Sequence, residues 1–272
     1  MEIEFSKIHG LGNDFIVINE MEKTIVPQEK KADFAKKFCG RKFSAGADGV
    51  LFIQKSKKAD FKMQIINSDG SEAKNCVNGL RCVALEKFLI DGMKNKKYLI
   101  ETLQGIVEAQ IISFAKNRAI VQIELLTVPR FLEKDSIEVN GKKFDYCFVD
   151  VGNPHAVIFF KENLESFGVE AIGHKIEFHS RFAPDRTNTE FVNVVNSSSV
   201  KMRVHERGAC ETMACGSGSI AVVVAGVHEG FLEKGKWVSI QQPGGILRIN
   251  FGEKLFLQGE AEKVFAGKLF WA

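Results

Sequence analysis

Asn67-Ser-Asp-Gly-Ser-Glu-Ala-Lys-Asn-Cys76-Val-Asn-Gly-Leu-Arg-Cys82 has a counterpart far down the chain, His205-Glu-Arg-Gly-Ala-Cys-Glu-Thr-Met-Ala-Cys215-Gly-Ser-Gly-Ser219. In each, a strand-like run ends in a polar turn, a Glu precedes a Cys by four residues, a Gly follows it by three, and an apolar helical pattern comes next. A Cys at a helix start sees the partial positive charge of unpaired backbone N–H groups. Such a site favours the thiolate and can bring a thiol from about 8.5 down to between about 3.5 and 7.5. The small or polar residues beside each Cys (Asn78 and Gly79; Gly216, Ser217 and Gly218) also leave N–H groups open to a carboxylate or phosphate. Either motif alone is equally well read as an ordinary helix start with an inert, buried Cys. Their repetition favours the reactive reading.

The repetition extends well beyond the two motifs. Gly12-Asn13-Asp-Phe-Ile-Val-Ile18 returns as Gly152-Asn153-Pro-His155-Ala-Val-Ile158, at an offset of 140. Lys62-Met63 returns as Lys201-Met202 and Cys76 as Cys215, both at 139, and Gly105-Ile106 returns as Gly245-Ile246 at 140. Anchors in one order at a nearly constant offset argue for a duplicated domain of about half the chain. Within each half, short alternating runs are punctuated by Gly. In the first half they fall near 2–8, 15–19, 50–54, 61–66, 98–102, 105–112 and 118–125, with helices from Pro27 to about Phe38 and from about Leu80 to Ile90. This pattern favours curled sheets over βαβ units, which need a helix after nearly every strand. The run Ser219-Ile-Ala-Val-Val-Val-Ala-Gly-Val227 is apolar all round, so its helix must be covered on every side. The fold class that follows is α+β: two pseudosymmetric domains, each a curled β-sheet or barrel around a central helix. The expected boundaries are 1–117 plus 264–272 for the N-terminal domain and 118–263 for the C-terminal one.

Composition narrows the function. The 272 residues are 45% hydrophobic and 26% charged, as in an ordinary globular protein. A net charge of +3, spread along the chain, is too weak and diffuse for a nucleic-acid surface. No apolar run reaches the roughly 20 residues of a membrane helix, and the start Met-Glu-Ile-Glu-Phe lacks signal-peptide character. The expectation is a cytoplasmic protein with reduced thiols. Six cysteines, with no Cys-x-x-Cys and no His-x-x-x-His, suggest neither a disulfide framework nor a metal site. Cys39, Cys82 and Cys147 lie in apolar patterns and are expected in the core.

Two similar domains facing one another would bring Cys76 and Cys215 to one ligand from opposite sides. A racemase needs that geometry: one base removes the Cα proton and an acid on the other face returns one. The chain also carries Lys7-Ile-His-Gly-Leu-Gly-Asn-Asp-Phe15, Asp69-Gly-Ser-Glu…Cys76-x-Asn-Gly-x-Arg-Cys82, Gly152-Asn-Pro-His155, Glu206-Arg-Gly…Glu-Thr-x-Ala-Cys215-Gly-Ser-Gly218 and Pro243-Gly-Gly245. In order and over essentially the whole chain, these blocks resemble the diaminopimelate epimerase family. The resemblance implies paired β-barrels, each around a helix, with the last strand crossing back to the first barrel. It implies Cys76 and Cys215 as acid/base thiols of a reaction without cofactor, in particular without PLP, and His155 and Glu206 as supporting groups near the reacting centre. It further implies that backbone N–H groups beside Val77, Asn78, Gly216 and Ser217 hold the α-carboxylate. Asn13, Asn67, Asn153, Asn188, Glu206 and Arg207 would grip the distal zwitterionic end of the amino-acid substrate, Arg207 through two parallel N–H bonds. A homodimer is the assembly expected.

Departures from the family pattern are Val77 in place of Gly, Ser44 and Cys210 at usual Gly positions, and Ser219-Ile220 in place of Ala-Cys. Val77 adds a β-branched side chain beside the carboxylate end, which keeps open a racemase of another amino acid such as histidine or lanthionine. A duplicated anion-binding module is the non-enzyme alternative. A nucleotide site at Gly216-Ser-Gly218 lacks both a full Gly-x-Gly-x-x-Gly turn and a Walker Lys. Arg81 is read as a structural ion pair on its helix. Asn188 is paired with Asp48 by the 140 offset.

Overall fold

The computed structural model describes residues 1–74 and 76–271. In its first part the chain runs β1 (Glu2–Gly10), β2 (Asn13–Glu20), α1 (Lys31–Phe38), β3 (Gly49–Gln54), β4 (Phe61–Asn67), β5 (Glu72–Ala73), α2 (Val77–Ile90), β6 (Lys97–Thr102), β7 (Gly105–Ala115) and β8 (Arg118–Leu125). Leu11 and Gly12, with φ of 57° and 91°, form the two-residue turn between β1 and β2. Positive φ at both positions gives the turn a twist that matches the strands it joins. Strands β2 and β3 are parallel, as are β4 and β6, and the crossovers between them carry α1 and α2 respectively. The other neighbours, β3 with β4, β6 with β7 and β7 with β8, are antiparallel. From the end of the chain, β17 (Leu255–Phe270) pairs with both β1 and β8. The pairings then close into a ring, β1-β2-β3-β4-β6-β7-β8-β17 and back to β1, which removes the open sheet edges.

The second part repeats this plan with β9 (Arg130–Val139), β10 (Lys142–Asp150), β11 (Pro154–Phe159), α3 (Val169–Glu177), β12 (Asn188–Asn196), β13 (Ser199–Glu206), β14 (Cys210–Thr212), α4 (Gly216–His228), β15 (Trp237–Gln242) and β16 (Gly245–Phe251). Strands pair in the order β9-β10-β11-β12-β13-β15-β16, with β11–β12 and β13–β15 parallel. Phe15 lies opposite Gly49 as His155 lies opposite Asn188, and Leu51 opposite Ile65 as Glu190 opposite Val204. This register makes Thr187, not Asn188, the counterpart of Asp48, because one residue fewer separates the paired strands in the second half.

Two compact units result, Met1–Leu125 with the chain from Gln258 onward, and Leu126–Leu257. The division falls at 125/126 and 257/258, where the sequence suggested 117/118 and 263/264; β8 bonds to β7 and β17 and so sits wholly in the first unit. Each sheet is covered on both faces. In β3, Val50 and Phe52 join Phe34 and Phe38 of α1 in one core, while Leu51 lies against Gly79 of α2. Two-sided burial explains why β3 reads as a continuous apolar run. Helix α4 buries Ile220 through Ala225 without a break, each large side chain contributing about 1.5–3 kcal/mol relative to exposure.

Helix α2 begins at Val77, three residues before the expected Leu80, because the Cys76 side chain caps it. The expected helix from Pro27 is a short 3-10 turn, Gln28–Lys30, followed by α1. Cys39, Cys82 and Cys147 are buried, whereas Cys210 is exposed with φ 61°, a conformation that favours Gly. Among the described residues, no helix is long and apolar enough to cross a membrane.

Candidate active site

Cys76 and Cys215 are the N-caps of α2 and α4, both with extended backbone (φ −151°, ψ 109° and φ −121°, ψ 116°). Cys76 Sγ accepts from the Gly79 N–H at 3.4 Å, and Cys215 Sγ from the Gly218 N–H at 3.3 Å. An N-cap is usually Ser, Thr, Asp or Asn, since oxygen is the better acceptor. A sulfur in that place gains most from the helix N–H groups when it is ionised, which suits a group that must shed and take up a proton.

Cys76 is half-buried and Asn13 Oδ1 lies 3.9 Å from its sulfur. The side chains behind it form one directed relay. Arg81 Nη2 donates to Asn78 Oδ1 (2.9 Å), Asn78 Nδ2 to Asn13 Oδ1 (3.1 Å), and Asn13 Nδ2 to Asp48 Oδ2 (2.7 Å). A cation that only donates stands at one end and a carboxylate that only accepts at the other, so both amide orientations are fixed by charge. Arg41 ties Asp48 to Asp14, at 2.7 Å from each, and Lys7 reaches Asp14 at 2.6 Å. Burial works to raise Asp14, but hydrogen bonds from Arg41 and Lys7 hold it below the usual carboxylate value.

Cys215 is buried. Its backbone N–H donates to Gln242 Oε1 (2.8 Å), its carbonyl accepts from Ser219 Oγ (2.7 Å), and Gln242 Nε2 closes the brace on Ser219 (3.0 Å). Ser217 Oγ stands 3.4 Å from the sulfur. Burial first, then the charges of Glu206 and Glu190, push the Cys215 thiol well above its ordinary value, against hydrogen bonds from Ser217 and Gly218. Glu206 accepts from the Thr212 hydroxyl, lies within hydrogen-bond reach of Cys215, and is itself raised by burial. His155 Nδ1 and Glu190 Oε1 are 2.7 Å apart and fully buried, with His155 Nε2 and Glu190 Oε2 lacking partners among the described residues. Glu190 fits beneath α4 only because position 218 is Gly: a Cβ there would stand 2.6 Å from Glu190 Oε1.

Asn13, Val77 and Asn78 thus gather about Cys76, and Glu206, Gly216 and Ser217 about Cys215. Other expected residues are held differently. The Asn67 amide donates to Ser71 Oγ at 3.0 Å, within its own turn. Asn188 donates to the Pro154 carbonyl (2.8 Å) and accepts from the Arg207 N–H (3.0 Å), so it fixes the Arg207 backbone next to Asn153-Pro154. The Arg207 guanidinium is exposed and donates to the Asp185 carbonyl at 2.6 Å. Sequence reasoning missed Glu190, Gln242 and the relay from Arg81 to Asp48. Glu190 left little signal, since it follows the polar Asn188 and Thr189 and only then do Phe191 and Val192 continue the buried start of β12. Arg81 is fully buried, and its partners are Asn78 Oδ1 and the carbonyls of Val77 and Glu260; among the described residues it forms no ion pair, contrary to the expectation.

His174, Glu177 and His205 bring ligand-capable atoms within 4.8 Å of one another. Within the cluster His205 Nε2 lies 2.9 Å from Glu177 Oε2, Arg186 and the Gly208 N–H hold the other Glu177 oxygen, and His205 Nδ1 is buried without a partner among the described residues. A cavity of about 470 Å³ in the first unit, lined by Asn117, Arg118, Glu260 and Glu262 among others, includes none of the expected site residues.

Comparison with known proteins gives a match in two halves, as the repeat does. The family model described as diaminopimelate epimerase matches residues 5–124 and 147–264. The diaminopimelate epimerase of Carboxydothermus hydrogenoformans is 43% identical over 98% of this chain and 100% of its own. That of Acetivibrio thermocellus is 41% identical over 98% of each. Among solved structures, a PhzF-family phenazine biosynthesis protein of Bacillus anthracis superposes with a TM-score of 0.74 at 16% identity, covering 100% of both chains. A hydroxyproline epimerase of Agrobacterium vitis gives 0.68 at 14%, covering 98% of this chain and 92% of its own. The structural matches carry the duplicated fold. The sequence matches span both helix starts and nearly the full length, and by them this chain belongs to the diaminopimelate epimerase family.

Proposed function

We propose that this protein inverts a Cα centre of diaminopimelate, interconverting the LL and meso forms, by proton transfer between substrate and two thiols. The observation that carries the reading is the matched pair of thiol N-caps, each bonded to the N–H three residues on. One thiolate takes the Cα proton and the other thiol delivers one to the opposite face of the carbanion. Which form is made depends on which face is deprotonated, so the pair runs in either direction. Backbone N–H groups at 77–78 and 216–217 hold the α-carboxylate, where the positive helix ends also favour the charge that develops on it. Glu206, raised and beside Cys215, together with His155, orients the α-ammonium. Asn13, Asn67, Asn153, Asn188, Glu206 and Arg207 receive the distal end, whose carboxylate and ammonium need donors and acceptors together. No residue in this scheme calls for a cofactor. A cytoplasmic location and a homodimeric assembly go with the same reading, on the family resemblance alone.

The reduced protein incubated with diaminopimelate in D2O should lose the Cα–H signal by proton NMR as LL and meso forms interconvert. Cys76→Ser and Cys215→Ser should keep the helix caps and cut inversion by at least about 100-fold, a typical contribution of a positioned acid or base. Inversion retained in either variant defeats the two-thiol scheme. Val77 marks where a different side chain would be accommodated, so exchange with histidine or lanthionine in place of diaminopimelate would move the substrate and leave the chemistry.

A further inference from the structure

The two thiol caps agree in backbone and differ in charge. Around Cys215 stand Glu206 and Glu190, with His155 bonded to Glu190. By strand register and by distance from the Cys, the first unit has Asn67 in place of Glu206, Leu51 in place of Glu190 and Phe15 in place of His155. Inside the helices the exchange runs the other way. Five residues past Cys215 is Ile220, and five past Cys76 is Arg81.

Arg81 is fully buried, and its acceptors are the neutral Asn78 Oδ1, Val77 carbonyl and Glu260 carbonyl at 2.9–3.4 Å. No carboxylate of the described residues lies within ion-pair distance. Guanidinium does not give up its proton in a protein, and a buried charge without a counter-charge is strongly unfavourable. The barrel nonetheless makes room for it: a Cβ at Gly10 would lie 2.9 Å from Arg81 Nη2. Of the other charged groups, Glu86 of α2 pairs with Lys263 of β17, and Glu260 and Glu262 of β17 pair with Arg118 of β8. Asp14 and Asp48, from β2 and the loop before β3, are matched by Lys7 of β1 and by Arg41. Cys82, also on α2, is neutral, its thiol pushed up by burial. Arg81 is therefore the surplus charge behind the Cys76 cap, directed toward Asn13 through Asn78.

We propose that Arg81 decides which thiol is ionised at rest: its buried, uncompensated charge favours thiolate at Cys76, while Glu206 and Glu190 keep Cys215 a thiol. The proposal rests on the two-thiol reading and assigns its resting roles, Cys76 as the base and Cys215 as the acid that meet the first substrate. Arg81 is a positioning residue, acting on Cys76 through charge and through the Asn78–Asn13 relay. The arrangement also explains why the caps can be identical in backbone and yet carry opposite protonation: helix ends favour thiolate at both, and the deeper burial of Cys215 together with the unlike side chains beneath the two caps breaks the tie.

The test is alkylation of the full, reduced chain by iodoacetamide across pH, with each cysteine followed separately by peptide mass spectrometry. Midpoints rather than absolute rates are compared, because Cys76 is more exposed than Cys215. In the unaltered protein the Cys76 midpoint should lie at least about one pH unit below that of Cys215. Arg81→Met should raise the Cys76 midpoint by about one unit or more, with Cys215 unmoved, and Arg81→Lys should restore most of the shift. Glu206→Gln should lower the Cys215 midpoint and leave that of Cys76 in place. A Cys215 midpoint at or below that of Cys76, or a folded Arg81→Met protein with an unchanged Cys76 midpoint, overturns the proposal. Should Arg81→Met not fold, Arg81→Gln takes its place, and a Cys76 midpoint unmoved in that folded variant overturns the proposal equally. Failure of the epimerase reading would show separately, as asymmetric alkylation without Cα–H exchange.

Discussion

Gly79 and Gly218 occupy the same place in the two halves, third from the capping Cys, and each donates its N–H to sulfur. Their surroundings differ in a way that makes one replaceable and the other not. An Ala at 79 would place Cβ 3.1 Å from Leu51 Cδ2, the tip of a side chain that can shift, and the backbone restriction would return about 0.5–1 kcal/mol. An Ala at 218 would stand 2.6 Å from Glu190 Oε1 and 3.2 Å from its Cγ and Cδ, with that carboxylate held to His155 in a closed interior. We expect Gly79→Ala to stay within about 1 kcal/mol of the parent and keep exchanging Cα–H. Gly218→Ala should lose about 1–3 kcal/mol of stability, together with most activity. Equal effects in urea melts and exchange assays would show that Glu190 is not seated under α4. Of this residue-level detail, the capping cysteines were legible because a thiol, its preceding Glu and its following Gly recur together. Arg81 was not, because a charged residue four or five places into a helix ordinarily faces water, and only a closed barrel turns that face inward.

The same logic applies one level up, at α1. Lys31 begins that helix almost fully buried, with Nζ 2.7 Å from Glu20 Oε2 on β2, 3.0 Å from Gln64 Oε1 on β4 and 3.9 Å from the Phe52 ring centre on β3. One side chain thus pins a helix to three strands. Burial disfavours both charges: at Lys31 it prevails and lowers the ammonium's value. At Glu20 burial also opposes ionisation, but bonds from Lys31, the Val26 N–H and Gln54 prevail and hold the carboxyl below its ordinary value. A depressed carboxylate contributes stability that is complete above its unfolded value and is lost as pH falls through the folded one. Lys31→Met would leave Glu20 buried and unpaired, at about 3–5 kcal/mol near pH 7. Urea midpoints should therefore differ strongly at neutral pH, and the gap should narrow as acid protonates Glu20. A gap that widens on acidification would contradict the assignment of the charge to Glu20. Element existence followed from periodicity, but element ends did not. The start of α2 depended on a Cys acting as cap, which propensity does not anticipate, and Pro27 opened a 3-10 turn because Lys31 must reach inward to begin α1.

At the scale of the molecule, duplication was legible and closure was not. The offsets near 140 follow from local order, which each half preserves, whereas the partner of the last strand lies at the opposite end of the chain. Strand β17 alternates buried and partly buried residues from Leu255 to Ala261 like any half-buried strand. Nothing in that pattern names β1 and β8 as its neighbours. Yet β17 supplies the bonds that complete the first ring: Glu2 to Phe270 through Phe5 to Gly267, and, past a bulge, Ile8 to Lys263. It also supplies Lys263, 3.0 Å from Glu86 of α2, and the Glu260 carbonyl that accepts from Arg81. Ending the chain after Leu257 would leave β1 and β8 as open edges, strip Glu86 of its cation and take one of three acceptors from a buried guanidinium. Each loss falls on the first unit. Hydrogen exchange followed by mass spectrometry should show β1, β8 and α2 losing protection in the shortened chain, while β12 and α4 keep theirs. Protection of β1 and β8 equal to that of the full chain would mean that the first sheet is held by α2 and its core alone, and that β17 is a lid on a barrel already closed.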